Sequence, residues 1–164
     1  DGQMTIEESD AAETQACGES TAARQVWLSL LARACVAELE QTLLRFSPQP
    51  RYEFLRRAEP GMVMLRARMG GTGDPFNLGE TSVTRCSIRL SSGHVGTGYV
   101  LGRERRKAEL VAVFDALLQD PGHRPRLEHS LLEPLRSRLS RQRSDSAIAS
   151  GSTKVEFFTM VRGE

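Results

Sequence analysis

The chain has 164 residues, 39% of them hydrophobic, and carries 22 Lys and Arg against 21 Asp and Glu, a formal charge of +1. That length suits one domain. No run approaches the ~18–20 apolar residues that span a membrane, and no basic stretch precedes an apolar one near the start, so the sequence reads as soluble, untargeted and cytoplasmic. Cys17, Cys35 and Cys86 are too few and too scattered for a disulfide scaffold, which favours a reducing compartment.

The small net charge hides an asymmetry. Residues 1–20 hold six acids (Asp1, Glu7, Glu8, Asp10, Glu13, Glu19) and no base, leaving 22 bases against 15 acids in residues 21–164. Twenty of those bases are Arg, whose rigid five-donor fork suits carboxylates and phosphates. Composition bias with ordinary surface pairing explains this, as does an anionic partner or an Arg-rich protein interface.

In chain order, residues 1–20 lack apolar periodicity and are predicted to be a mobile acidic tail. Ser20 or Thr21 can cap the next segment. There Val26, Trp27, Leu30, Leu31, Ala34, Leu39 and Leu43 recur every three or four residues, predicting one amphipathic helix over 23–45. Ser47-Pro48-Gln49-Pro50 breaks it. A short strand is predicted over 52–57, a turn at Glu59-Pro60-Gly61, and period-two strands over 62–69 and 83–90. Ser91-Ser92-Gly93 reads as a hairpin turn into a strand over 94–101. That strand sets Val95, Tyr99 and Leu101 on one face and Gly96 and Gly98 on the other, bare enough to admit another backbone or a large side chain. A helix over 104–119 shows Leu110, Val113, Phe114, Leu117 and Leu118 as one stripe. A weaker helix starts near 127, with Pro134 as a kink or a new start. The polar stretch 140–153 fits helix or loop, and 154–161 reads as a final strand paired within the sheet. Short links suit antiparallel pairing. The expected fold is α+β: a single domain over 21–164, its largely antiparallel sheet flanked by helices.

Three segments attract a functional reading. In Arg68-Met69-Gly70-Gly71-Thr72-Gly73 the glycines permit sharp bends and could present backbone amides as an anion nest. The Lys-Ser/Thr pair of a phosphate-binding P-loop is missing, so the segment is a tight loop between strands, a loop packed into a partner subunit, or a substrate contact. Gly96-Thr97-Gly98 fails as a dinucleotide fingerprint because its glycines fall within an antiparallel strand. Arg103, Arg105, Arg106 and Lys107 open a helix, where cations oppose the macrodipole yet can hold an anion or acidic surface. A solvated basic turn eased by Glu104 and Glu109 explains them equally well. The outward Arg66, Arg68, Arg85 and Arg89 either form one patch or pair with Glu53 and Glu80.

Chemistry of its own is poorly supported. His94, His123 and His129 have no zinc-ligand spacing, Cys86 shares an apolar face with Ile88 and Leu90 and reads as an inert buried thiol rather than a nucleophile paired with His94, and Asp115 and Glu133 lack an acid–base partner. No catalytic residue, no metal ligand and no cofactor bound by this chain alone is assigned.

The stretches ARQVWLSLLARA (23–34), LRARMGGTGDPFNLGE (65–80), TRCSIRL (84–90), GYVLGRERRKAEL (98–110) and KVEFFTMVRGE (154–164) closely resemble the PhnG family, the G subunit of the bacterial carbon–phosphorus lyase core complex. The RMGGTG and FFTMVRG blocks are the most specific. The resemblance implies a role in phosphonate breakdown and partnership with the H, I and J subunits and, functionally, the L protein. It implies that the chain supports displacement of adenine from ATP by methylphosphonate, giving α-D-ribose 1-methylphosphonate 5-triphosphate, with the nucleosidase chemistry on the I subunit. ATP and methylphosphonate are then substrates of the complex. The subunit-contact or anion-binding candidates remain Arg68, Gly70, Gly71, Thr72, Gly73, Arg103, Arg105, Arg106 and Lys107. The rival reading is a stand-alone module for nucleic acid or another polyanion, against which stand the interspersed acids and only nine aromatic residues with no stacking platform. An independent enzyme is the third reading, opposed by the lack of a convergent nucleophile and base.

Overall fold

The computed structural model describes residues 21–152. The acidic segment 1–20 and the predicted strand 154–161 lie outside the described residues. The elements in order are helices α1 (residues 21–31) and α2 (Val36–Leu44), strands β1 (Tyr52–Arg68), β2 (Pro75–Leu90) and β3 (Val95–Leu101), and helices α3 (Arg105–Gln119), α4 (Arg124–Leu127) and α5 (Glu133–Ser152). The three strands form one antiparallel sheet in the order β1-β2-β3. The fold is α+β, as expected.

One face of the sheet carries the core. Cys86, Ile88 and Leu90 of β2 and Val100 of β3 are buried with Ala108 and Leu110–Leu118 of α3, and α1 joins the same core through Trp27, Leu30, Leu31 and Ala34. The glycine face of β3 is what lets α3 come close. A Cβ on Gly96 would sit 1.9 Å from the carbonyl oxygen of Ala112, and one on Gly98 would sit 2.1 Å from that of Ala108. The bare strand face therefore admits another backbone, and the buried side of β3 is the glycine side, with Tyr99 and Leu101 left exposed.

Four sequence expectations are corrected. The helix expected over 23–45 is two helices, parted at 32–35. The extended Cys35 starts α2, its N–H donating to Glu38 Oε2 at 2.9 Å, so a carboxylate satisfies a donor that a new helix start would leave bare. The turn expected at Glu59-Pro60-Gly61 is continuous strand: Pro60 pairs with Thr84 within β1. Because β1 is an edge strand, proline's missing N–H disrupts no inner ladder. Register shifts between Phe54 and Glu59 absorb the irregularity. Strand β2 begins at Pro75 rather than 83, since 75–80 is exposed on both faces and loses the alternation that marks a half-buried strand. The weak final helix starts at Arg124, widens into a π turn over Glu128–Leu132 and continues as α5. Pro134 has no N–H to donate back to Ser130, which fits the widened turn preceding it. The polar stretch left open between helix and loop is helical as far as Ser152.

Candidate functional site: an apolar two-stranded arm

Strand β3 pairs with β2 only from Val83 to Arg89, whereas β1 pairs with β2 out to Arg68 and Pro75. Among the described residues the sheet beyond Val83 is therefore two strands wide. From Ser82 to Pro75 that arm runs roughly 23 Å at ~3.3 Å per residue. Its tip is the 3-10 turn Met69–Gly71, with Gly70 at φ 60° and Gly71 at φ 83°, left-handed values that favour glycine. Arg68 closes the tip by donating from Nη1 to the Gly73 carbonyl at 3.0 Å.

The arm is apolar, and no other described element covers it. Met62, Met64, Met69 and Leu78 are 65, 51, 76 and 63% exposed, and Val63, Leu65 and Phe76 are also exposed. The β1 alternation puts Met62 and Met64 on one face and Val63 and Leu65 on the other. The second face continues across the cross-strand pairs Gly61–Val83 and Val83–Leu101 to the exposed Tyr99 and Leu101 on the open side of the sheet. An isolated two-stranded ribbon is marginal in water, and a contiguous exposed apolar surface marks an interaction site.

The predicted site residues fall into two groups that the fold keeps apart. Arg68, Gly70, Gly71, Thr72 and Gly73 form the arm's tip. The Gly102–Lys107 segment lies at its root, where the Gly102 N–H donates to Ser82 O and Thr84 Oγ1 donates to Gly102 O, both at 2.8 Å. Arg106 differs from its neighbours: its guanidinium reaches Glu40 at 3.1 Å and Glu109 at 3.2 Å, and Tyr52 Oη donates to the same Glu109 at 2.5 Å. Burial and the Glu109 carboxylate push the Tyr52 phenol up to about 12. Arg103 and Arg105 stay exposed.

The four strand arginines form no single patch. Arg85 pairs with Glu59 at 3.0 Å and Arg89 with Glu53 at 3.2 Å on the open sheet face, while Arg66 and Arg68 sit near the tip on the methionine face. Cys86 is fully buried, donating its S–H to Arg56 O, and burial pushes its thiol up to about 11. His94 instead meets Ser92 Oγ through Nδ1 at 3.1 Å. Among the described residues no three His, Cys, Asp or Glu side chains are grouped to hold a metal, and no helix is long and apolar enough to cross a membrane.

Residues 22–163 match the family model described as phosphonate metabolism protein PhnG. The chain belongs to the PhnG family. It is 43% identical, over 155 residues, to the alpha-D-ribose 1-methylphosphonate 5-triphosphate synthase subunit PhnG of Rhizobium meliloti (strain 1021), covering 94% of this chain and 98% of that protein. Within this PhnG-family chain the sequence motifs located the tip and the root of the arm. They missed its apolar length, Met62–Leu65 and Phe76–Leu78. Only the run Met62-Val63-Met64-Leu65, apolar at both alternating positions, signalled that neither face would be solvent-adapted.

Proposed function

We propose that this chain is an accessory subunit of an α-D-ribose 1-methylphosphonate 5-triphosphate synthase in the carbon–phosphorus lyase pathway, a cytoplasmic partner of the H, I and J subunits working with the L protein. The observation that carries the reading is the arm, a projecting ribbon with apolar side chains on both faces. Such a surface supports burial against other proteins. The family membership and the name of the Rhizobium meliloti relative support the choice of complex.

In the proposed reaction a phosphonate oxygen attacks C1′ of the ATP ribose, the C1′–N bond to adenine breaks and the triphosphate is retained. The demands are placement of the phosphonate, stabilisation of an oxocarbenium-like C1′ and a proton for the departing base. This chain's part is to order the catalytic subunit through the arm, with Gly70–Gly73 packed into that partner. Arg103, Arg105 and Lys107 add positive potential toward the phosphate-bearing substrates.

The test is Met64→Asp/Leu65→Asp in the full chain, produced with the other subunits. The double variant is expected to lose co-purification, and adenine release from ATP with methylphosphonate should fall to the level seen without this chain. Full co-purification with unchanged adenine release overturns the reading.

A further inference from the structure

The end of the sheet opposite the arm holds a cavity of about 440 Å³ between the 46–51 segment, the β2–β3 turn and the end of α3. Its floor is apolar, from Phe46, Leu90 and Leu117, and its rim carries Arg51, Arg126 and His123. Arg126 lies over the Phe46 ring at 5.1 Å and donates to the Arg45 carbonyl, and no carboxylate among the described residues pairs with it. The one acid in the wall, Asp120, accepts from the Gly122 N–H at 2.9 Å and lies 3.8 Å from His123. Among the described residues neither Arg51 nor Arg126 forms an ion pair, so two guanidinium groups stand against the single carboxylate of the wall.

The chain's own sequence carries a complement to this excess of cations. Helix α1 enters at this same end: one turn into it, Arg24 reaches Asp115 and the Val95 carbonyl, to which Gln119 also donates. Residues Ser92 and Asp120, on either side of those contacts in sequence, line the cavity. The segment leading into α1, residues 1–20, has six acids and no base, and at ~3.3 Å per extended residue its contour length is roughly 66 Å. The other end of the chain, 153–164, balances Lys154 and Arg162 against Glu156 and Glu164 and offers no such complement. We propose that the cavity ringed by Arg51, Arg126 and His123 is the docking seat of the chain's own acidic segment 1–20. The segment covers the cationic end of the sheet, and any acidic partner surface that binds there must displace it.

Cys17 places a label on that segment. In the full chain with Cys35→Ser, the buried Cys86 leaves Cys17 as the accessible thiol for a nitroxide. The amide signals of Ser91, Ser92, Gly122 and His123 are expected to lose most of their intensity at low salt. They should regain it as salt shortens the screening length to about 3 Å at 1 M, and again in Arg51→Glu/Arg126→Glu. Broadening spread evenly over the surface, centred on Arg103–Lys107, absent at low salt, or unchanged by salt and by charge reversal overturns the proposal. The salt arm needs no rim substitution, so it holds even where the double variant folds poorly. The outcome is independent of assembly, so it stands or falls apart from the subunit reading.

Discussion

Arg24 and Asp115, 91 residues apart in the chain, form a two-pronged ion pair: Nε donates to Oδ1 at 3.1 Å and Nη2 to Oδ2 at 2.6 Å. Asp115 is fully buried in the C-terminal third of α3, and its remaining lone pairs take the Trp27 Nε1–H at 2.9 Å and the Thr97 N–H at 2.8 Å. One carboxylate thus ties α1, α3 and β3 together. Removing one member of such a pair leaves buried polar groups unpaired, at a cost of about 3–5 kcal/mol. Asp115→Ala is expected to lower stability by that amount, read as a fall in the urea midpoint at unchanged slope. Asp115→Asn keeps an acceptor for two of the donors and should fall between it and the parent. A midpoint within error of the parent for Asp115→Ala would show that the pair does not hold the helices.

The close approach of α3 to β3 gives a second test. At Gly98 an added Cβ meets the Ala108 carbonyl at 2.1 Å and the Ala112 nitrogen at 3.0 Å, all backbone, so the helix itself must move. Overpacking in a tight core costs about 1–3 kcal/mol and at times more. Gly98→Ala is expected at or beyond the top of that range. Gly61→Ala, in the arm, meets nothing within 4 Å and has an ordinary φ, so its thermal midpoint should stay within about 2 °C of the parent's or rise slightly. Equal midpoints for the two variants would contradict the packing.

Why some of this was legible and some was not follows from where the side chains end up. The stripe of α3 and the alternation of 83–90 could be read because each faces water on one side and the core on the other. The β1 side of the arm is legible as a strand over 62–69, but its partner over 75–82 is not, because alternation encodes a half-buried strand and 75–82 is buried on neither face. Pro60 looked like a turn because sequence alone does not reveal that β1 is an edge strand. Asp115 looked idle because its partners Arg24, Trp27 and Thr97 are distant in sequence, and only topology brings them together. The Arg excess resolves partly into ordinary pairing, through Arg24, Arg85, Arg89, Arg106 and Arg138.

Alkaline pH should unfold the protein through two groups. Burial and the Glu109 carboxylate hold Tyr52 protonated, up to about 12 from its ordinary value near 10, and burial holds Cys86 up to about 11 from near 9. Each folded value lies above the unfolded one, so the unfolded chain gives up its proton first. The stability they contribute is complete below pH 9 and is lost as pH rises through 9–11 for Cys86 and 10–12 for Tyr52. Urea midpoints should therefore fall across pH 9–12. Tyr52→Phe lacks the ionising hydroxyl, and its curve should flatten between pH 10 and 12 relative to the parent. Parallel curves for the two proteins would show that the Tyr52–Glu109 contact has no such linkage.

The cations at the arm's root separate stability from assembly. Arg106 bridges Glu40 of α2 and Glu109 of α3 at 49% side-chain exposure, and exposed pairs of this kind are worth about 0–1 kcal/mol each. Arg106→Ala should therefore destabilise the free chain mildly and leave adenine release by the assembled complex near the parent level. Arg103, Arg105 and Lys107 lie beside the positive end of α3, where cations are mildly unfavourable. Replacing all three with Ala should shift stability by no more than about 0.5 kcal/mol, in the stabilising direction. If these three present positive charge to a phosphate-bearing substrate or an acidic partner, the triple variant loses adenine release or co-purification despite its intact fold. The measurement pairs urea denaturation of the free chain with product formation by the complex. A triple variant that matches the parent in both would remove these residues from the functional surface and leave the apolar arm as its sole part.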